Sequence, residues 1–306
     1  MTAATRTIVM TGATRGIGLE AAKDLLRRSP DTHLVILGRE SSAARALSSL
    51  RTGSSHVSAI GVDLASKASI HTAAAEIEDL LDAGELPPLV GIVCNAGVHL
   101  SSALRTSDDG YELTFAVNVL ATHLLLRGLQ PHLRAPARVV VTVSDAHFGD
   151  LRHTGGTMPA PRWKGPEILS RPGAFDRSER VRSGGRRAYT TSKLAAIYLV
   201  HEWARRLPDG IDILAYNPSL VTGTGLAQEA GGPLPFLMKW IIPILEATPL
   251  VDTAPTAGRK LTDVILETSS VPTGSYLHRT KTMRSSAESY NTDREEALWD
   301  WMEQQS

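Results

Sequence analysis

The sequence predicts an α/β fold, a doubly wound parallel sheet with helices on both faces, and three observations predict it. Short runs that are almost wholly apolar and β-branched alternate with longer segments whose apolar residues recur at helical spacing. The turn between the first run and the first helical segment is glycine-rich, Thr11-Gly12-Ala13-Thr14-Arg15-Gly16-Ile17-Gly18. The 306 residues carry no internal repeat and no Ser/Gly linker, so a single domain over 1–306 is expected.

The elements follow in order. Arg6–Met10 is the first strand, and Gly18–Arg28 carries Leu19, Ala22, Leu25 and Leu26 on one helical face. His33–Leu37 is the second strand, followed by a helix around Ser41–Leu50 and a strand Val57–Val62. Ser69–Leu81 is a helix, Leu89–Cys94 a strand, and Asp109–Gln130 reads as one long helix. Arg138–Val143 is a buried strand, Tyr189–Arg206 a strongly apolar helix and Ile211–Tyr216 a further strand. Strands apolar on both faces need cover on both sides, which is why the sheet is read as parallel. From Asp150 to Arg187 the periodicity disappears, and nine Lys and Arg outnumber four Asp and Glu. A stretch this long without periodicity is either functional or mobile.

Composition narrows the function classes. Apolar residues make up 42 % and charged ones 21 %, an ordinary globular balance. Lys plus Arg is 32 and Asp plus Glu is 32, so bulk electrostatics draw in no nucleic acid. The one cysteine, Cys94, excludes an internal disulfide and a multi-cysteine metal site, and it reads as a small buried hydrophobe. The polar N-terminus has no signal-peptide core, and the longest apolar run, Pro235–Leu245, is far short of the ~20 residues that span a bilayer. A soluble cytoplasmic protein with no membrane span is expected.

The glycine turn suits a dinucleotide. Gly12 allows a sharp turn, while Gly16 and Gly18 let backbone approach a pyrophosphate at the free N–H groups of a helix start. The spacing is not that of a P-loop, although a plain tight turn remains the alternative. The second strand ends Ile36-Leu37-Gly38-Arg39, with a cation where an acidic residue would bind ribose hydroxyls. Arg39 and Arg15 therefore favour a 2′-phosphate, and NADP(H) over NAD(H), unless both are simply solvated surface arginines.

The chemistry lies elsewhere in the chain. Tyr189 and Lys193 fall one turn apart on one helix face. An ammonium ~5–6 Å from a phenol, at an effective dielectric of ~20, favours the phenolate by about 3 kcal/mol, or roughly two pKa units. That would bring Tyr189 toward useful general acid–base work. Ser144 ends the buried strand, where a parallel sheet opens into its ligand crevice. Asn95-Ala96-Gly97 ends the strand before it, and Asn118 lies in the helix between.

With Asp63-Leu64 added, this ordered set resembles the short-chain dehydrogenase/reductase family and its Rossmann fold over nearly the whole chain. Ser144-Asp145-Ala146-His147, the run Tyr189–Ala195, Thr224-Gly225-Leu226 and the tail from Gly274-Ser275-Tyr276 to Leu298-Trp299 look most like the retinol dehydrogenase and protochlorophyllide reductase branch. The resemblance implies hydride transfer from the nicotinamide to a carbonyl or conjugated alkene carbon. It implies that Tyr189 donates the proton, Ser144 holds the substrate oxygen, Lys193 holds the nicotinamide ribose and acidifies Tyr189, and Asn118 holds a relay water. It places Gly12, Thr14, Arg15, Gly16, Ile17, Gly18, Arg39, Asp63, Leu64, Asn95, Ala96, Gly97, Pro218, Val221 and Thr224 against the cofactor, with Tyr189 and Lys193. It also implies a substrate lid at 226–250, whose apolar bulk suggests a sizeable lipophilic substrate. An oligomer contact and a membrane-surface helix are the other readings of that segment. Pairing into a homodimer or homotetramer through the helices of Asn118 and Tyr189 is implied as well, unless residues 150–187 obstruct it.

Three features depart from the family pattern. Ser144 and Tyr189 stand 45 positions apart, so residues 150–187 form a rim insertion, read either as a lid or substrate reader or as a solvated loop. Ser219 follows Pro218 where glycine is common. Asp145 stands where Ser or an apolar residue is frequent, and either selects a polar substrate feature or caps a turn. Ser144, Asp145 and His147 also suggest a hydrolytic triad, but side chains alternate at a strand end and no G-x-S-x-G elbow surrounds Ser144. His201-Glu202 fails as a zinc helix because position 205 is Arg, and no metal is expected. The expected function is NADPH-dependent reduction of a ketone or aldehyde on a medium or large lipophilic molecule. Conjugated C=C reduction and a nucleotide-binding module without redox chemistry are the alternatives.

Overall fold

Strand β1 (Arg6–Thr11) lies inside an eight-stranded sheet of order β10-β9-β6-β5-β4-β1-β2-β3, in a computed structural model that describes residues 3–51, 56–175, 181–222, 251–266 and 271–306. The other strands are β2 (Thr32–Gly38), β3 (Val57–Gly61), β4 (Leu89–Cys94), β5 (Leu133–Thr142), β6 (Ile211–Asn217), β9 (Tyr276–His278) and β10 (Lys281–Met283). Pairings from β3 through β9 are parallel, and β10 alone runs antiparallel, at the edge. A short separate pair, β7 (Val221–Thr222) and β8 (Asp252–Thr253), follows β6. The strand order reverses between β1 and β4, and in such sheets ligands gather outside the carboxyl ends at that point.

Alternation along the strands feeds two cores. Ile8, Met10, Leu34 and Ile36 face helices α1 (Gly16–Arg28), α2 (Glu40–Leu50) and α9 (Ala254–Leu266). Val9, Val35, Ile92 and Val139 face α3 (Lys67–Asp82), α5 (Ala121–Leu129) and α8 (Val181–Arg206). Over α5 and α8 lies α10 (Thr292–Glu303). Its Trp299 meets Trp203 edge-on at 5.1 Å and His123 at 5.2 Å, and takes Arg206 on its face at 4.1 Å.

Two expectations need correction. The segment read as one helix from Asp109 begins only at α4 (Leu113–Phe115), capped by the Glu112 carboxylate on the Phe115 N–H at 2.7 Å. It then widens into a π-helical stretch, Ala116–Leu120, centred on Asn118. Hydrophobic spacing does not distinguish α from π over one turn, so the sequence carries no mark of it. The described part of the insertion is not merely a solvated loop. It holds two short helices, α6 (Leu151–Thr154) and α7 (Pro166–Leu169), and the first turns of α8, which starts at Val181 rather than Tyr189, and it sends Leu169 and Phe175 into the core. Trp163 packs edge-on to Tyr198 at 5.1 Å, and the Arg162 N–H donates to Thr191 Oγ1 at 3.0 Å. Basic content misled here because two of the guanidiniums are spent on loop carbonyls: Arg186 donates to Thr157 O and Arg187 to Ala160 O.

Candidate active site

The nucleotide end is assembled mainly from backbone. Gly12 turns the chain at φ +70°, and the Asn95 side chain donates to its carbonyl at 3.3 Å. A Cβ on Gly18 would lie 2.1 Å from the Gly12 oxygen, so α1 packs on the turn only because that position is bare. Ala96 N–H donates to Thr11 Oγ1 at 3.1 Å, and Thr142 Oγ1 donates to Asn95 Oδ1 at 3.1 Å. Asn95 thus joins the ends of β1, β4 and β5, a task its two-sided amide suits.

Around this cradle, Thr14 and Ile17 are half-buried, and Arg15 and Arg39 are exposed at the starts of α1 and α2. Neither guanidinium has a side-chain partner among the described residues. Asp63 and Leu64 follow β3, with Asp63 Oδ1 accepting from Ala65 N at 2.9 Å. Pro218 is buried and Val221 half-buried beyond β6, whereas Thr224 and the lid segment 226–250 lie outside the described residues. Ser219 has φ +65°, which is why glycine suits the position, and its N–H is held by Asn217 Oδ1 at 2.9 Å.

The chemical end is assembled from buried side chains. Tyr189 and Lys193 project from α8, and the Ser144 hydroxyl just past the end of β5 lies beside the Tyr189 phenol and eases its ionisation. The Lys193 ammonium donates to the Thr142 carbonyl at 2.9 Å and stands 5.7 Å from the phenol ring centre. The Asn118 amide group is engaged in the fold. Its amide donates to Val98 O at 3.0 Å and Ser192 Oγ at 3.0 Å, and its oxygen accepts from Val98 N at 2.8 Å. Both amide protons are therefore used, and the side chain offers a water no donor. A Cβ on Gly97 would lie 3.3 Å from Asn118 Oδ1 and 3.5 Å from Lys193 Nζ, so the bare Gly97 brings the strand end against both.

The acidity expectation meets an opposing effect of burial. Burial pushes the Tyr189 phenol above its ordinary value, offset only in part by the Ser144 hydrogen bond. Burial also pushes the Lys193 ammonium down from 10.5 to about 8. The sequence argument set a charge against a solvated phenol, but here both groups are buried, and loss of water raises the phenol's pKa and lowers the ammonium's.

Other readings close as well. His147 Nδ1 faces the Ser144 carbonyl at 2.7 Å rather than its hydroxyl, and Ser286 N donates to His147 Nε2 at 3.1 Å, so there is no triad. Glu202 pairs with Arg205 and Arg206, and no cluster of metal-binding side chains occurs among the described residues. Asp145 neither caps a turn nor faces outward alone. It accepts from Asn217 Nδ2 at 2.6 Å and Tyr276 OH at 3.0 Å.

Sequence reasoning missed His99, whose half-buried ring stacks on Tyr189 with centroids 4.5 Å apart and planes 28° apart. Its one signal was adjacency, two positions past Gly97. It also missed Thr142, Ser192 and Asn217, whose partners come from distant elements.

A dinucleotide fits these residues: bare glycines open a cradle at a helix start, two arginines stand unpaired beside it, and a buried ammonium lies at the far end. Among the described residues no helix is long and apolar enough to cross a membrane.

Comparison with known proteins agrees. The family model described as short chain dehydrogenase matches residues 6–154, ending before Tyr189. A short-chain dehydrogenase/reductase of Pestalotiopsis microspora is 30 % identical over 233 residues, covering 73 % of this chain and 72 % of its own. Retinol dehydrogenase 13 of Homo sapiens is 30 % identical over 233 residues, covering 74 % of this chain and 62 % of its own. Protochlorophyllide reductase A of Triticum aestivum is 28 % identical over 294 residues, covering 88 % and 71 %. Against the WW domain-containing oxidoreductase of Danio rerio, 33 % identical over 231 residues and 73 % of this chain, the match spans only about half of the relative, 51 %. The NADPH-bound carbonyl reductase from chicken fatty liver superposes with a TM-score of 0.63 at 21 % identity, covering 92 % of this chain and 100 % of that one, which shows the fold. The chain belongs to the short-chain dehydrogenase/reductase family of oxidoreductases, on its retinol dehydrogenase and protochlorophyllide reductase branch.

Proposed function

We propose that this chain is an NADPH-dependent reductase of a ketone or aldehyde on a medium to large lipophilic molecule, with Tyr189 as the general acid. The observation that carries the reading is the convergence of Tyr189, Ser144 and Lys193 at the carboxyl ends of β4 and β5. The bound dinucleotide supplies the hydride. Ser144 Oγ donates a hydrogen bond to the substrate oxygen, and the Tyr189 hydroxyl gives that oxygen its proton as charge develops there. Lys193, cationic and short of solvent, favours the phenolate that remains. His99 screens one face of the phenol and Asn118 fixes the Gly97-Val98 backbone beneath it.

Purified protein mixed with NADPH and a panel of aromatic and terpenoid ketones and aldehydes tests the reading. NADPH oxidation should exceed that of Tyr189→Phe by about 10²–10⁴-fold, and equal rates would overturn it. Product mass and regiochemistry separate carbonyl from C=C reduction. Preference for the 2′-phosphate is supported by Arg15 and Arg39, exposed and without partners among the described residues. Arg39→Ala should weaken NADPH about tenfold while leaving NADH nearly unchanged, as expected for a lost charge-assisted phosphate contact. Equal losses for both would reject the preference.

We further propose that the α5–α8 face is not used for pairing, because α10 covers it through Trp299.

A further inference from the structure

Behind Ser144 lies a polar cluster that the reaction as described does not use. Asp145 begins the 3₁₀ turn Asp145–His147, whose first N–H groups fall under Ser144: its Oγ accepts from Ala146 N at 3.2 Å. Oδ1 of Asp145 takes the Asn217 amide at 2.6 Å and the Tyr276 hydroxyl at 3.0 Å, and faces His278 Nδ1 at 3.5 Å. The same Asn217 amide lies 2.7 Å from Tyr276 OH and 3.1 Å from His278 Nδ1. Its other side, Oδ1, holds the N–H of Ser219, the residue forced to positive φ, and its backbone carbonyl accepts from Arg279 N at 2.7 Å. One carboxylate oxygen therefore ends a chain of contacts that begins in the left-handed turn before Val221.

Resting on the proposed function, we propose that Asp145 is a positioning residue that locks the Pro218–Val221 turn, against which the nicotinamide end of the cofactor would rest, to the turn carrying Ser144. Asn217 is the coupler. Its two amide protons face Asp145 Oδ1 and Tyr276 OH, with His278 Nδ1 alongside in a role set by its tautomer, and the carboxylate, as the charged acceptor, fixes which way the amide faces. That orientation leaves Oδ1 free for Ser219 N. With no acceptor at 145, the amide keeps only its uncharged partners Tyr276 OH and His278 Nδ1, its orientation is held less firmly, and the brace on the left-handed Ser219 weakens. Burial works to raise the Asp145 carboxyl, but hydrogen bonding and charge from His278, with Tyr276 and the charge of His147, hold it below the usual carboxylate range. Asp145 is thus an anion at neutral pH, and the coupling operates there.

The test uses the full chain and Asp145→Ala, Asp145→Asn and Tyr276→Phe, read by NADPH fluorescence titration and by backbone amide exchange over residues 219–221. Asp145→Ala should raise the NADPH Kd about tenfold, the size of one buried donor left unpaired. It should also speed exchange of the Ser219 amide, with the far-ultraviolet circular dichroism unchanged. Asp145→Asn keeps an acceptor oxygen and should recover Kd to within about threefold of wild type. Tyr276→Phe removes one of the amide's other acceptors and should move Kd less than Asp145→Ala; it carries the test with Asp145→Asn if the alanine variant does not fold. A lower melting temperature for Asp145→Ala with unchanged Kd and unchanged Ser219 exchange overturns the proposal, as does an Asn variant no better than Ala. Wild-type protein that binds neither NADPH nor NADH rejects the proposed function instead, while the exchange measurement still decides whether Asp145 braces the turn.

Discussion

At the nucleotide end the contacts run through backbone: a glycine at φ +70°, a helix seated on a bare Gly18, and carbonyls held by Asn95. At the chemical end they run through buried side chains, each tied to a partner from another element: Tyr189 to Ser144, Lys193 to the Thr142 carbonyl, Asn118 to Val98 and Ser192. The first end tolerates no added atom. The second tolerates shape changes but holds unfavourable chemistry, above all a buried ammonium with no carboxylate beside it among the described residues. One end is limited by sterics and the other by desolvation, so substitutions at the two should fail in opposite ways.

The largest effect is expected at Gly18. A methyl group 2.1 Å from the Gly12 oxygen and 2.6 Å from Asn95 Nδ2 must displace backbone. Gly18→Ala should therefore cost about 3 kcal/mol or more, as severe overpacking does. Urea denaturation measures it, and a loss below about 1 kcal/mol would dissolve the contrast between the two ends.

Lys193→Met should behave the other way. It should lower kcat about a hundredfold or more, as loss of a general acid's electrostatic support does. Yet it should raise the stability of protein without added nucleotide by about 1–2 kcal/mol, because it removes a buried cation. The sign follows from the lowered pKa of Lys193, about 8 against 10.5. Between those values the unfolded chain binds more protons, so this residue's contribution to stability rises with pH. The advantage of Lys193→Met should accordingly shrink from pH 8 to pH 10, and melting curves at both values check it. A constant gap would mean that the ammonium is solvated after all.

The smallest effect is expected at Ser219, where the chain keeps a side chain in left-handed backbone. Ser219→Gly should stabilise by about 1 kcal/mol, the ordinary cost of that conformation for a residue with a Cβ. An unchanged melting temperature would mean that the Asn217 contact already offsets the strain.

The same contrast explains what the sequence disclosed. Alternating β-branched runs and helical spacing mark β1 to β6 to within a few residues, because those patterns record which faces are buried. The glycine turn is legible because only glycine satisfies its close approaches. At the chemical end the residue types are legible and their state is not. Nothing in Tyr189-x-x-x-Lys193 says that both groups lose water, so burial opposes the expected fall in the phenol's pKa. The role of Asp145 is equally hidden, since its partners Asn217 and Tyr276 lie more than seventy positions away. The π turn at Asn118 and the packed insertion share that cause: each depends on tertiary neighbours that local periodicity does not encode.

Cys94 ends β4 at 4 % exposure, and burial, eased slightly by Thr122, pushes its thiol up to about 12. A thiol so protonated and shielded reacts slowly with alkylating reagents, and the chain has no other. The protein therefore comes ready for single-site spectroscopic labelling. A cysteine placed at exposed Leu220, beside the left-handed turn, would report motion there without interference from the native sulfur.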